Sequence, residues 1–391
     1  MKDGEKLRVV VMGFMGTCPI SGVVWQHLHY IEGLRRLGHE VTYLEDTARY
    51  TYNPETFDVS EDTQHACKVL AMLADRYGFR WALRSRIQEP WQTFGLSEHS
   101  FQECYGNADF IFNVCGSQDL HEGLRDHAHI LYLESDPGVE QIKLDQGDED
   151  TAEYLRHHLR LFTFGENIGA ATFPVPLHGQ SWHATRQPVV CDWWADSAPP
   201  FDGAVFSTIA NWSTSGQKDI EWRGERYLWS KSLEFLRFVE VPRLAGVSLE
   251  LATDIKDATT KTKFEQAGWR LRLPHDLSSD FDLYRRYIQK SRGEFTVAKD
   301  QYVRLRTGWS SDRSACYLAA GRPVITQATG FAAHHRLPAR GWLEYETPAE
   351  ARNLLLEVTG NYNWHAEGAR ELARELFDAE KVVAAVLDAA S

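Results

Sequence analysis

Six residues near the start, LRVVVM from Leu7 to Met12, form the apolar, mostly β-branched run required of a strand buried on both faces of a parallel sheet. The run ends in Gly13, Phe14, Met15 and Gly16, and Pro19, Ser21 and Gly22 follow. From Val23 to Leu37 apolar residues recur at helical spacing (Val24, Leu28, Ile31, Leu34, Leu37), and Gly38 stops the helix. Val41 to Leu44 gives the next strand, which runs into Glu45 and Asp46. Strand, glycine-bearing loop, helix and strand make a βαβ unit, and that unit commits the chain to a parallel sheet covered by helices. The loop glycines do not follow the GxGxxG spacing, so the dinucleotide fingerprint is absent.

The alternation continues. A helix is expected over Ala66 to Leu83, and strands over Asp109–Asn113, Ile130–Leu133 and Leu161–Gly165. Asp136 and Glu166 each follow one of these strands. Open α/β sheets bind ligands just beyond the carboxyl ends of their strands, so Gly13, Asp136 and Glu166 are candidates to line one crevice. Residues 174–204 change character, with Pro174, Pro176, Pro188, Pro199 and Pro200 and few periodic apolar positions, and read as a linker. A second series then begins at Ala204–Ile209. It runs through helix Lys231–Val239, strands Val247–Ala252 and Trp269–Leu273, helix Phe281–Gln289 and strand Glu294–Ala298. Helices over Pro348–Val358, with Thr347 as N-cap, and Ala366–Leu387 close it. The expected fold class is α/β, with two facing Rossmann-like domains at 1–190 and 200–365. The helix in 366–391 is expected to pack back on the first domain.

Composition bounds the function. At 391 residues with 43% hydrophobic and 25% charged, the chain has room for two globular domains. A net charge of −13 excludes general affinity for nucleic acid or anionic membranes, although not a local basic pocket. The six cysteines show no CxxC pair and no zinc-type spacing, and read as free thiols in a reducing cytoplasm. The start lacks a signal-peptide pattern and no apolar run is long enough for a membrane span, so a cytoplasmic protein without metal ligands is expected.

The densest chemistry lies late, from Gly308 to Phe331 (GWSSDRSACYLAAGRPVITQATGF). Gly308 and Trp309 end one segment, and Ser310, Ser311 and Asp312 offer cap oxygens to a helix that Gly321 stops. Pro323 to Ile325 then opens a buried strand. A serine-rich loop at a helix start is a ready anion site, because unpaired N–H groups and the helix dipole point at the ligand. The N–H groups near Ser311, Asp312 and Arg313 are the first candidates.

In three features the chain resembles the GT-B glycosyltransferases. These are the Gly13–Asp46 opening, the segment SDRSACYLAAGRPVI, and the closing helices from Asn353 to Ala390. The second feature is the specific one, and it is similar to the signature of retaining members. The glutamates of that signature are not in their usual places, since Trp309 and Ser310 precede Asp312 and the later position is Ala319 or Ala320. The resemblance implies transfer of a sugar from a nucleotide donor (UDP-, dTDP- or GDP-sugar) to an acceptor hydroxyl in the cleft, with no metal and no tightly bound cofactor. It implies donor contacts from Lys218, Lys231, His275, Tyr302 and the residues 308–313, with Tyr302 stacking on the base. It implies acceptor contacts from Gly13, Phe14, Gly16, Ser21 and Gly22. If the reaction inverts, Asp136 is the first choice of general base, with Glu166 and His27 behind it; if it retains, no base is required and Asp136 orients the acceptor. The acceptor is a small molecule or glycan, with DNA disfavoured by the charge. The alternatives are a nucleotide-sugar epimerase of the same layout and a catalytically silent nucleotide- or sugar-binding module.

Overall fold

The computed structural model describes residues 6–125, 127–196, 205–213 and 219–391. Among these residues, strand Arg8–Met12 sits at the centre of an eight-stranded sheet. On one side the sheet grows through Glu40–Thr47 and Arg80–Ser85 to an antiparallel edge strand, Gln92–Gly95. The chain then returns to the other side and adds Phe110–Val114, Ile130–Glu134, Arg160–Thr163 and Trp182–Ala184, all parallel. The second sheet has six parallel strands built by the same rule. Phe206–Ile209 is central, Leu249–Ala252 and Trp269–Arg272 lie on one side, and Gly293–Thr296, Val324–Gln327 and Trp342–Tyr345 on the other. Each sheet therefore reverses direction beside its first strand, and the crevice at that reversal is where doubly wound sheets take ligands.

Three sequence expectations shift. The helix expected over Ala66 to Leu83 covers Gln64–Tyr77 and stops at Gly78, whose φ of 70° is a left-handed cap. Arg80–Ser85 is a strand instead. The stretch read as a linker contributes strand Trp182–Ala184 to the first sheet and helix Cys191–Trp194. The last expected helix is three pieces: Tyr362–Leu372, a π-turn at Ala373–Phe377, and Ala379–Ala390. Thr347 does cap its helix. Its hydroxyl accepts from the Glu350 amide at 3.2 Å, and Glu350 reaches back to the Thr347 amide at 3.1 Å.

The helix Ala379–Ala390 lies along Ser21–Arg36, the first helix of the chain. Val189 fixes its approach by donating to Phe377 O at 2.6 Å and accepting from the Ala379 amide at 2.9 Å. Trp25, Leu28, Ile31, Tyr284, Tyr317, Val383 and Leu387 share one buried cluster, so one core runs continuously from the first sheet's helices into those of the second. At the tightest point a Cβ on Gly33 would stand 3.0 Å from both the Cβ and the carbonyl oxygen of Ala379. Gly33→Val should cost about 1–3 kcal/mol, the usual penalty for overpacking. Urea unfolding will read it, and an unchanged midpoint would show that the close approach is unimportant.

Candidate functional site

The carboxyl ends of the two sheets face a cleft of about 690 Å³. The second domain builds one wall from the bottom up. Glu294, fully buried in a central strand, receives Arg313 Nε at 2.5 Å and Ser314 Oγ at 2.5 Å, with Thr208 Oγ1 at 3.2 Å. Arg313 also donates to Ile209 O at 2.6 Å and Thr296 Oγ1 at 3.1 Å. These bonds tie the first turn of helix Asp312–Ala319 to the sheet and aim its N-terminus at the cleft. Ser311 is the N-cap residue, but its side chain makes no cap bond and turns to Asp312 Oδ1 at 3.3 Å. The expected capping by the serines is therefore not made. Burial raises the Asp312 carboxyl above its ordinary range.

Lys231 and Trp309 stand beside this helix start, with the ammonium 5.7 Å from the indole ring centre. Burial, reinforced by Arg313 and Lys299, pulls the Lys231 ammonium down to about 7. Lys231 thus gives up its proton readily, and an anion bound beside it would restore its charge. The outer part of the wall is made by Asn211, Asp254, Lys256 and His275.

Asp136 faces this wall from the first domain. Its Oδ1 accepts from Lys299 Nζ at 2.6 Å and from the Tyr302 hydroxyl, so the carboxylate bridges the domains. Trp309 spans the same gap by donating its indole N–H to Ser135 O at 3.0 Å. At the rim Phe57, from the turn between the short strands Thr51–Asn53 and Asp58–Ser60, packs on His275 with ring centres 4.1 Å apart and planes inclined by 36°.

Of the residues expected at the site, Gly22, Asp136, Lys231, His275, Trp309, Ser311, Asp312 and Arg313 line the cleft. Lys218 lies outside the described residues. Tyr302 is fully buried, with its ring 4.5 Å from that of Trp309 and its hydroxyl on Asp136, so it cannot stack on a base in this arrangement. Ser310 is buried beside it in sequence, and Gly308, at φ 73°, lies where a Cβ would come within 2.8 Å of the Asn167 amide nitrogen. His27 is fully buried, its Nδ1 2.7 Å from Val23 O, and desolvation lowers it to about 4. Gly13 exists to make room for it, since a Cβ there would lie 2.1 Å from the ring. Phe14 packs edge-on against His27, and the Gly16 amide donates to the buried Glu45. Ser21 Oγ donates across the domains to Leu277 O and Ser278 O, at 3.0 and 2.9 Å. Of the acceptor group, Gly22 lines the cleft and Gly13, Phe14, Gly16 and Ser21 make the contacts just described. Glu166 lies off it, held by Arg186 and His335.

Sequence reasoning singled out neither Tyr284 nor Glu294, and Trp229 and Phe57 also escaped it. Glu294 left a trace, a lone carboxylate inside the apolar strand that runs on to Phe295 and Val297. Phe57 left none, because its role depends on a contact made 218 residues away, at His275.

The depressed Lys231 has a measurable signature. Between about 7 and the ordinary lysine value of 10.5, the unfolded chain carries a proton at this position that the fold does not. The fold's stability therefore gains from this group as pH rises through that window, and the gain is absent below 7. Chemical unfolding at several pH values should show a slope that Lys231→Met removes. An identical slope in the variant would mean that Lys231 titrates normally.

No family model matches the chain, and no curated protein matches it in sequence. Solved structures do match. An alpha-glucosyltransferase in complex with UDP superposes with a TM-score of 0.55 at 11% identity, covering 98% of this chain and 100% of its own. HepE from Anabaena, in complex with UDP and glucose, gives 0.53 at 12% identity, over 98% and 100%. A glycosyltransferase from Rickettsia africae gives 0.52 at 11%, over 99% and 98%. The likeness spans both sheets and the closing helices, and the fold of this chain is the GT-B fold.

Proposed function

We propose that the chain is a glycosyltransferase that moves a sugar from a nucleoside-diphosphate donor to an acceptor hydroxyl. One observation carries this reading. The N-terminus of helix Asp312–Ala319, Lys231 and Arg313 converge on one wall of the cleft, while Asp136 stands in the other. A departing diphosphate needs its growing negative charge stabilised, and a fixed helix N-terminus with buried cations supplies that without reorganisation. The similar structures that hold UDP support a uridine donor.

In this reading the second domain holds the donor, with the diphosphate against residues 311–313 and Lys231 and the base toward His275. The acceptor sits against the first domain, with the hydroxyl to be glycosylated at Asp136. As the new bond forms at the anomeric carbon, the bond to the diphosphate breaks, Asp136 takes the hydroxyl proton, and the leaving group's charge falls on Lys231 and the helix start. The net charge of −13 favours a small molecule or glycan over DNA as acceptor.

A thermal-shift screen of UDP, GDP, dTDP and CMP tests the donor site. UDP should stabilise the protein by about 2.7 kcal/mol at a hundredfold excess over Kd, and a flat response to all four would remove the donor site from this cleft. Asp136→Asn keeps the hydrogen-bond acceptor but not the base. It should lower turnover of UDP-sugar by about 10²–10⁴-fold while leaving the UDP shift intact. Undiminished turnover would reassign the base.

A further inference from the structure

Away from the cleft, Glu166, His334 and His335 bring one potential ligand atom each to within 4.8 Å of one another. Glu166 follows the strand Arg160–Thr163 of the first domain, and the two histidines end helix Phe331–His335 of the second. The carboxylate is almost wholly buried. Its Oε2 takes Arg186 Nη2 at 2.5 Å and His335 Nε2 at 2.9 Å, while Oε1 is buried with no hydrogen-bond partner among the described residues. An orphaned carboxylate oxygen in the interior is costly, and a ligand that it could bind would remove the cost.

The neighbouring hydrogen bonds fix the state of His334. Asn167 Nδ2 donates to Arg306 O at 3.0 Å, which leaves Asn167 Oδ1 turned toward His334 Nδ1 at 2.9 Å. An amide oxygen accepts only, so Nδ1 carries the proton and Nε2 keeps its lone pair. This is the arrangement of a metal-binding histidine, with its second nitrogen held by an outer partner. Arg186 plays the corresponding part for the carboxylate, holding Oε2 and leaving Oε1 to turn toward a ligand.

We propose that Glu166, His334 and His335 form a zinc site that joins the two domains. Two histidines and one carboxylate are a recurrent set for Zn²⁺, with the fourth position left to water. Binding releases the proton that His335 Nε2 shares with Glu166 Oε2, and the carboxylate presents Oε1 to the metal while Arg186 keeps Oε2. Ligand atoms at about 2.1 Å in a tetrahedral set lie roughly 3.4 Å apart, and the three residues already bring one ligand atom each within 4.8 Å of one another, so modest side-chain rotation closes the set. The ion would pin the loop after strand Val324–Gln327 to the first domain and fix the angle of the cleft. The inference stands apart from the proposed transfer reaction.

The test uses the full chain after chelator treatment, with Zn²⁺ titrated calorimetrically and Co²⁺ as an optical probe. One equivalent should bind, and the wild-type unfolding temperature should rise with Zn²⁺. Glu166→Gln and His335→Ala should each weaken binding by about 100-fold or more, beyond what outer partners usually contribute. His334 is exposed, so His334→Ala leaves the core intact and serves as the variant whose folding is not in question. It should keep the metal-free unfolding temperature and lose the zinc-dependent rise. Absence of binding to the wild type, retention of full affinity by His334→Ala, or a thiolate charge-transfer band in the Co²⁺ spectrum would each overturn the assignment.

Discussion

A carboxylate with no access to water organises the second domain. Glu294 sits in the middle of a parallel sheet, where an ionised group is tolerated only if its charge and lone pairs are answered. Arg313, Ser314 and Thr208 answer them, and two of the three lie in the first turn of one helix. The sheet therefore dictates where that helix begins and which way its dipole points. Arg313 is largely spent on this internal pairing, so what the helix start itself offers an anion is its peptide N–H groups, with Lys231 beside them. A buried pair of this kind gives little stability for its desolvation, but it fixes a direction, and direction is what an anion site needs.

The two domains are held by a series of specific ties around the cleft. Asp136 with Lys299 and Tyr302, Trp309 with Ser135, Ser21 with residues 277 and 278, and Asn167 with residues 306 and 307 all bond one domain to the other. Several use backbone carbonyls as acceptors, so their geometry survives many side-chain changes. The result is a cleft whose floor is wired by hydrogen bonds and whose rim meets in the ring contact of Phe57 with His275.

The layout was legible because parallel sheets leave long apolar runs, and both series could be read from them. Errors fell where a short element lacks such a run. Trp182–Ala184 is a half-exposed edge strand inside a proline-rich stretch, and Arg80–Ser85 follows a helix after only a glycine and one phenylalanine. The helix start at Asp312 was equally legible, because its cap residues and its glycine stop are local signals. The roles of His27, Tyr302 and Glu166 were not. Tyr302 and Glu166 are turned inward by Asp136 and His335 of the opposite domain, and His27 is enclosed by Phe14, Tyr43 and Gly13 of its own. Periodicity says which face a residue occupies. It does not say whether the neighbouring domain will cover it.

The return of residues 379–390 to the first helix has a consequence for biosynthesis. The groove along Gly33 faces water on a ribosome-bound chain until those residues emerge, more than three hundred positions later. The apolar surface that Trp25, Leu28 and Ile31 turn toward those residues stays open meanwhile, so the first helix reaches its native packing only once residues 379–390 are in place. The first domain therefore completes its packing only after the second has been made, and until then it presents an apolar helix face of the kind that chaperones shield.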